Sequence, residues 1–176
     1  MEKYILSETY TLVPRELYTP ETGKSALMEQ FGLQGEYIFH NASYQKADAI
    51  IAYALPSAAE GSNDECCNTY PFVVRLLKEL DNITGYNKVI FHYNAKKGLS
   101  HIIIGTGEEL KMANSFSSDS FESALYFLFL SIRQLQMNPK QCIVRVCSGI
   151  NADQEKTISR FFSGVETNNL DNLIQV

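Results

Sequence analysis

The segment from Asn114 to Asn151 constrains the fold more than any other part of the chain, because it combines a long apolar helix, an abrupt stop and a buried strand. Asp119 is predicted to cap the helix, and Glu122 three residues later completes a reciprocal pair around the first free backbone N–H groups. Apolar side chains then recur every three or four residues, which places them on one face of the helix. They are Phe121, Leu125, Leu128, Ile132 and Leu135.

The opposite side of the same helix is also rich in apolar residues, at Tyr126, Phe127, Phe129 and Leu130. A helix that is apolar nearly all round is either buried between layers or spans a membrane. The run from Ala124 to Leu130 is much shorter than the roughly 20 apolar residues that a bilayer requires. We therefore predict a buried helix in a protein that does not span a membrane.

A strand and a second helix are predicted to follow. Asn138-Pro139 ends the long helix, since a residue before proline avoids the α region. Cys142 to Ile150 is rich in β-branched and small apolar residues and is predicted to form a strand, with Ser148-Gly149 turning the chain into the next helix. Asn151 and Gln154 then repeat the capping pattern.

Three strands are predicted before the long helix: Lys88 to Tyr93, Leu99 to Gly105, and Leu110 to Phe116. The second half of the chain is therefore predicted to have the order β-β-β-α-β-α, in an α/β domain. The first half is predicted to have the order β-α-β-β-α. Its helices are expected from Thr19-Pro20 to Gly32 and from Phe72 to Ile83, where the start, stop and apolar spacing are typical of helices.

The remaining predictions for the first half are one strand or extended entry segment within Tyr4–Val13, and two strands, at Glu36–Asn41 and Asp48–Leu55. Ser57–Asn68 carries no apolar period and is the best candidate for a hinge. We predict two lobes, 1–84 and 85–176, which is consistent with a chain of 176 residues.

Composition excludes several classes of partner. The net charge is −5, and the largest basic cluster is Lys96-Lys97, so nucleic acid is not expected to bind. The N-terminus lacks the pattern of a signal peptide. Cys66, Cys67, Cys142 and Cys147 lack the spacing of a zinc site, which favours reduced thiols in the cytoplasm.

Three strings carry a family resemblance: TLVPRELY at Thr11–Tyr18, ANSFSSDSFESALYFLF at Ala113–Phe129, and VCSGI at Val146–Ile150. In this order and spacing, the chain resembles an uncharacterised family of actin-like-fold proteins from Bacteroidetes. The resemblance implies an actin-like ATPase fold built from ribonuclease-H-like halves, and it implies no activity. Family members carry further strands before the TLVP string, so the first lobe is expected to be an incomplete copy. Its open sheet edge would favour self-association or a protein partner.

The same resemblance bears on nucleotide. Actin-like ATPases hold metal-bound phosphate with an acidic residue and a Gly-rich hairpin at the first strand pair. The matching hairpin, Phe91–His101, contains no Asp or Glu and one glycine. ATP hydrolysis is therefore not expected, and no cofactor is predicted. Ser148-Gly149 resembles the turn that approaches adenosine in that fold.

Two further sites have open interpretations. Gly105-Thr106-Gly107 is either an anion-binding nest or a plain turn between strands, and the following Glu108-Glu109 favours the turn.

His92 and His101 flank the hairpin, and a two-residue loop at Lys96-Lys97 would place them opposite each other, close enough to share a metal. A three-residue loop would pair Tyr93 with His101 instead. No metal site is predicted, because no third ligand stands at a sequence spacing typical of metal sites.

Two residues of the following strand also have alternative interpretations. Cys147, beside Ser148, is either a nucleophile or a buried small residue in a tight turn, and the missing G-x-S-x-G pattern favours packing. Arg145 interrupts an apolar strand, so it lies on an exposed face, pairs with an acid, or meets a ligand.

The sequence favours a non-catalytic actin-like binding or scaffold module for protein–protein interaction, with no catalytic residue assigned. Four aromatic residues of the first lobe could form its recognition surface, and core packing explains the Phe residues equally well; the four are Tyr37, Phe39, Tyr44 and Tyr53. The alternative is a nucleotide-binding protein, with Ser148, Gly149, Gly105, Thr106 and Gly107 as the ligand-binding residues. A small hydrolase with an unassigned nucleophile is the third and weakest hypothesis.

Overall fold

A computed structural model describes residues 2–57 and 69–175 of the chain. Within it the chain forms two compact units, Met1–Val74 together with Ile174–Val176, and Arg75–Leu173. The hinge predicted at Ser57–Asn68 lies, apart from Ser57, outside the described residues. The division into lobes 1–84 and 85–176 stays a prediction.

The described part of the first unit contains two three-stranded sheets and one complete helix. One sheet is antiparallel in the order β2-β4-β3, and the other is parallel in the order β11-β1-β5. The segment Tyr4–Val13, predicted to contribute one strand, thus supplies β1 and β2 to different sheets. The elements are β1 (Lys3–Ile5), β2 (Tyr10–Pro14), α1 (Pro20–Phe31), β3 (Tyr37–Tyr44), β4 (Ala49–Pro56), β5 (Thr69–Pro71) and β11 (Ile174–Gln175).

Local signals in α1 act as the sequence predicts. The Thr19 side chain accepts a hydrogen bond from the backbone of Thr22 and the reciprocal bond is also present, so the pair forms a capping box. Gly32 ends the helix at φ 57°, in the left-handed region that favours glycine. Leu27 of α1 packs on Ala52 and Ala54 of β4, the central strand of its sheet.

The second unit is one mixed five-stranded sheet in the order β10-β9-β6-β7-β8, with β6, β9 and β10 parallel and β7 and β8 antiparallel. Its element order confirms the predicted β-β-β-α-β-α, to which β10 is added. α2 bridges the two units in sequence and ends at Asp81, before the predicted Ile83. The elements are α2 (Phe72–Asp81), β6 (Asn87–Asn94), β7 (Leu99–Thr106), β8 (Glu109–Ser117), α3 (Phe121–Gln134), β9 (Cys142–Val146), α4 (Ala152–Ser159) and β10 (Gly164–Thr167).

The start of α3 differs from the prediction. Its cap is Ser120, whose Oγ accepts from the backbone N–H of Ser123 at 3.1 Å in a capping box. The Asp119–Glu122 pair was therefore the wrong choice by one residue, because a cap must be the extended residue directly before the first turn. Asp119 instead accepts a hydrogen bond from the Ser123 hydroxyl at 2.8 Å.

One side of α3 is buried against the sheet of the second unit. Phe121, Leu128 and Ile132 join Val89, Phe91, Ile102, Ile104 and Val144 in one apolar cluster. The other side faces outward, and Tyr126 is 63% exposed. The prediction of a helix buried between layers was therefore half right, because this sheet covers a single side.

The predicted strand Cys142–Ile150 ends early, at Val146. Cys147 still donates to the carbonyl oxygen of Phe91 at 2.8 Å, but the next residues turn toward α4, which Asn151 and Gln154 cap as predicted. Among the described residues, no helix combines the length and apolar character needed to cross a membrane.

Candidate functional site

The carboxyl ends of β6 and β9 bring together most of the chemically interesting side chains of the second unit. Ser148 and Gly149 lie directly after β9, and the buried Ser148 hydroxyl accepts a hydrogen bond from the Tyr93 N–H of β6 at 3.2 Å. In parallel α/β sheets this edge is the usual place for ligands, because loops from neighbouring strands meet there. We call the group His92, His101, Ser148, Gly149 and Asp171 the edge cluster.

His92 and His101 lie directly opposite each other in β6 and β7, and both are fully buried. Their Nδ1 atoms are 3.4 Å apart. This is the register of the two-residue alternative, although the loop between the paired strands comprises Ala95–Gly98. The Tyr93–His101 alternative is wrong, since Tyr93 pairs with Ser100.

Asp171 is the residue that sequence reasoning missed. Its Oδ1 lies 3.1 Å from His92 Nε2, so a hydrogen-bonded chain runs from His101 through His92 to a carboxylate. Asp171 and His92 are 79 positions apart in the sequence, and so no spacing pattern predicts their contact. The contact depends on the segment after β10, which Leu170 anchors by donating its N–H to the Cys147 carbonyl at 3.0 Å.

The second oxygen of Asp171 fixes the turn after β9. Gly149 donates its backbone N–H to Asp171 Oδ2 at 2.9 Å. The hydrogen bond from His92, and then the one from Gly149, lower the pKa of Asp171, while partial burial opposes this shift. The carboxylate thus ties the β9 turn to the β6–β7 hairpin.

Gly105-Thr106-Gly107 lies at the other end of the sheet. Thr106 pairs with Asn87, the first residue of β6, whereas Ser148 contacts Tyr93 near its last residue. At about 3.3 Å per residue, the length of β6 separates the two stretches by roughly 20 Å. The five residues predicted to bind a ligand therefore do not form one site.

The backbone N–H of Gly107 is hydrogen-bonded within the chain. Gly107 has φ 60° and donates its N–H to the Tyr86 carbonyl at 2.7 Å. A nest needs such N–H groups to point at an anion. This geometry favours the alternative interpretation, a turn that connects β7 and β8.

A family model described as a protein of unknown function, DUF3822, matches residues 4–163. The chain belongs to this family. Among solved structures it is similar to a protein with actin-like ATPase fold and unknown function from Bacteroides thetaiotaomicron VPI-5482. The two share 17% identity with a TM-score of 0.79, over 96% of this chain and 70% of that one. A comparison with curated proteins gave no match.

The likeness at this identity concerns the fold alone, and it confirms the predicted actin-like ATPase fold. In this member of the DUF3822 family, the β6–β7 hairpin is organised by neutral groups. Asn94 Oδ1 accepts from the Lys97 N–H at 3.0 Å, and Gly98 takes a positive φ of 57°. Ser118 donates its N–H to the Gly98 carbonyl at 2.7 Å, which fixes the hairpin against the end of β8.

The environment of Cys147 is unsuited to a nucleophile. Burial, reinforced by the charge of Glu79, raises the pKa of the thiol to about 12. The thiolate is the reactive form of cysteine, so this thiol stays protonated near neutral pH. The packing interpretation of Cys147 is the one that the geometry supports.

Arg145 pairs with acids, as one of its predicted alternatives states. Its Nη1 lies 3.1 Å from Glu79 Oε2 and its Nη2 lies 2.6 Å from Glu166 Oε2. Arg75 adds a contact of 2.5 Å to Glu79, and Asn168 donates to the same carboxylate at 3.0 Å. This network joins α2 to β9 and β10. In the part of the chain that the structure describes, no three His, Cys, Asp or Glu side chains are grouped to hold a metal.

Proposed function

We propose that this protein is a non-catalytic binding module of actin-like fold that acts through protein–protein contacts. The observation that carries the proposal is the side of α3 that faces away from the sheet, where Tyr126 is exposed and Phe129 and Leu130 are half-buried. Next to it, Phe161 stacks edge-on against Phe129 with 4.9 Å between ring centroids and is 45% exposed. We call these four residues the α3 patch.

Aromatic residues grouped on an exposed surface are typical of protein interfaces, where they supply much of the binding energy. A helix that exists only to cover its own sheet would carry polar residues on its outer side. The exposed position of Tyr126, at 63%, is therefore unexplained by the folding of the chain itself.

The hydrogen bonds of the polar groups at the carboxyl edge support the non-catalytic part of the proposal. In the edge cluster, the Gly149 N–H and both oxygens of Asp171 are engaged within the chain. The Ser148 hydroxyl is buried and bonded to the Tyr93 backbone. Groups held in this way fix loops in place, which is a structural task.

Photocrosslinking tests the proposal. A benzoylphenylalanine placed at Tyr126 in the full chain is expected to give discrete protein adducts in the cells that make it. The same probe at Lys96, an exposed residue of the β6–β7 loop, serves as the control. Equal labelling at both positions, or no adduct at Tyr126, would rule out the α3 patch as a protein-binding surface.

Nucleotide binding near Ser148-Gly149 is the second candidate. One observation favours it. β7 and β8 lie on one side of β6, and the chain then passes through α3 to β9 on the other side of β6. The Ser148-Gly149 turn follows β9 at this point, where the strand order changes direction. Crevices at such crossing points are preferred ligand sites in open α/β sheets. Binding would stabilise the folded chain by RT ln(1 + c/Kd), where c is the nucleotide concentration, and so the melting temperature would rise as nucleotide is added.

A thermal-shift titration with ATP and ADP, with and without Mg²⁺, decides this candidate. A Cβ at Gly149 would lie 3.1 Å from Asn169 Nδ2, so Gly149→Val crowds this turn. A nucleotide-dependent rise that is lost in Gly149→Val would establish the site. No rise at millimolar nucleotide would remove it.

A further inference from the structure

The outward side of α3 carries charges as well as the α3 patch, and their positions form a pattern. Glu122 lies in the first turn and Arg133 in the last, and both are exposed. At 100° per residue, they fall with Tyr126, Phe129 and Leu130 within an arc of about 100° on the helix. One continuous stripe therefore begins with an acid, continues with apolar residues and ends with a base.

The stripe is complementary to a second copy of itself that runs in the opposite direction. Glu122 and Arg133 are equally far from the midpoint between residues 127 and 128, and so are Tyr126 and Phe129. At a rise of 1.5 Å per residue, the two charges are about 16 Å apart along the helix axis. A two-fold axis through this midpoint would set Glu122 opposite Arg133 of the partner subunit, and Tyr126 opposite Phe129 of the partner subunit.

Charge makes this arrangement selective. Among the residues that the structure describes, neither Glu122 nor Arg133 forms an ion pair with another side chain of the chain. An antiparallel partner supplies both missing counter-charges at once, whereas a parallel one brings acid to acid and base to base. Opposite charges that flank an apolar seam set the partner and orientation in helix pairs.

We infer that the α3 stripe binds a second copy of this chain, with the two α3 helices antiparallel around a two-fold axis. The inference rests on the proposed function, since it names the partner of the α3 patch. It differs from the self-association predicted for the first lobe, because the contact lies on a helix of the second unit. Each copy would bury its exposed tyrosine against an aromatic ring.

Charge reversal tests the inference. In sedimentation equilibrium of the full chain, Glu122→Lys and Arg133→Glu should each weaken dimerisation by roughly tenfold, because each creates two like-charge contacts. The double variant Glu122→Lys with Arg133→Glu should recover the wild-type Kd. Glu21→Lys, a reversal in the exposed first turn of α1, is the matched control and should leave the Kd unchanged.

Circular dichroism of each variant establishes that it is folded before the Kd values are compared. A wild-type chain that stays monomeric up to about 100 µM, single variants that associate as well as wild type, or a double variant that fails to recover would each overturn the dimer. Photocrosslinking separates this outcome from failure of the proposed function. An adduct of Tyr126 with a different protein would keep the binding module and remove the dimer, whereas no adduct would remove both.

Discussion

The two faces of the five-stranded sheet bury their residues in different ways. On the face covered by α3, alternate residues of β6, β7 and β9 are apolar, and they join the α3 cluster. The other face carries the fully buried Ile90 and Ile103 and, next to them along the strands, four polar side chains. These are Lys88, His92, His101 and Arg145, of which the first three are buried.

The difference shows that the two faces have different tasks. Apolar burial is non-directional and stabilises whatever packs well, so the α3 cluster contributes free energy of folding without fixing precise positions. A buried charge or imidazole is tolerated only where a partner meets it. The polar face therefore fixes positions: Arg145 holds α2 to β10 through Glu79 and Glu166, and His92 holds the loop of Asp171.

The largest effect is expected on the apolar face. Leu128 is fully buried at the centre of α3, so Leu128→Ala should lower the free energy of unfolding by about 3 kcal/mol through lost contacts and the cavity left behind. Urea denaturation measures this value. Tyr126→Ala, on the exposed side of the same helix, should change it by at most about 0.5 kcal/mol. Similar values for both would contradict the one-sided packing of α3.

The polar face gives the next largest effect. Glu79→Ala leaves Glu166 as the one acid that pairs with Arg145 among the described residues and removes the acceptor of Asn168, so the free energy of unfolding should fall by about 2 kcal/mol. Glu166→Ala is the matched control, because Glu166 is more exposed and its loss should cost about 0.5 kcal/mol. The polar network would lose its positioning role if the two variants unfolded at the same urea concentration.

Local signals allowed much of the fold to be predicted. The caps at Thr19 and Asn151, the stop at Gly32 and the β-β-β-α-β-α order all depend on residues within a few positions of each other. Even the error at Asp119 was local, because Ser120 and Asp119 are both good caps and only the backbone conformation selects one. The opposition of His92 and His101 was also within reach, since a hairpin leaves few registers.

Long-range contacts could not be predicted in the same way. Asp171 reaches His92 because β10 pairs with β9 and the following segment stays at the carboxyl edge, where Leu170 bonds to Cys147. The separation of Gly105–Gly107 from Ser148 likewise follows from strand direction, which residue types do not encode. Sheet topology decides which loops share an edge, and so it decides the composition of the edge cluster.

Asp171 offers a pH-dependent test of the polar face. The folded-state pKa of its carboxyl is lowered, chiefly by His92. Its stabilising contribution is therefore present above the ordinary carboxyl pKa of about 3.9 and is lost as the pH falls through the folded-state value. Asp171→Asn should cost about 1 kcal/mol at pH 7, because Asn cannot accept from both His92 and Gly149.

Urea midpoints of wild type and Asp171→Asn between pH 7 and pH 3 make this measurement. The difference in unfolding free energy should begin to shrink as the pH falls below 4, where the carboxyl of the unfolded chain takes up a proton, and should continue to shrink down to the lowered folded-state pKa. A difference that is constant over this range would mean that Asp171 acts without its charge. Asp119→Asn, at an exposed carboxyl outside the edge cluster, controls for a general loss of negative charge.

The smallest expected effect concerns two thiols, one on each face of the sheet, whose rates of alkylation should be the same. Cys142 belongs to the apolar cluster under α3, and Cys147 follows Arg145 on the other side of β9. Burial raises the pKa of both, that of Cys147 to about 12, so neither should react with iodoacetamide in the native protein at pH 8. Peptide mass spectrometry after timed labelling gives a rate for each position. If both faces belong to one cooperative unit, the two thiols react only through global unfolding and at the same apparent opening free energy.

A Cys147 that is labelled sooner than Cys142 would show that the polar face opens without global unfolding. The edge cluster would then hold together a part of the unit that opens independently of the α3 face.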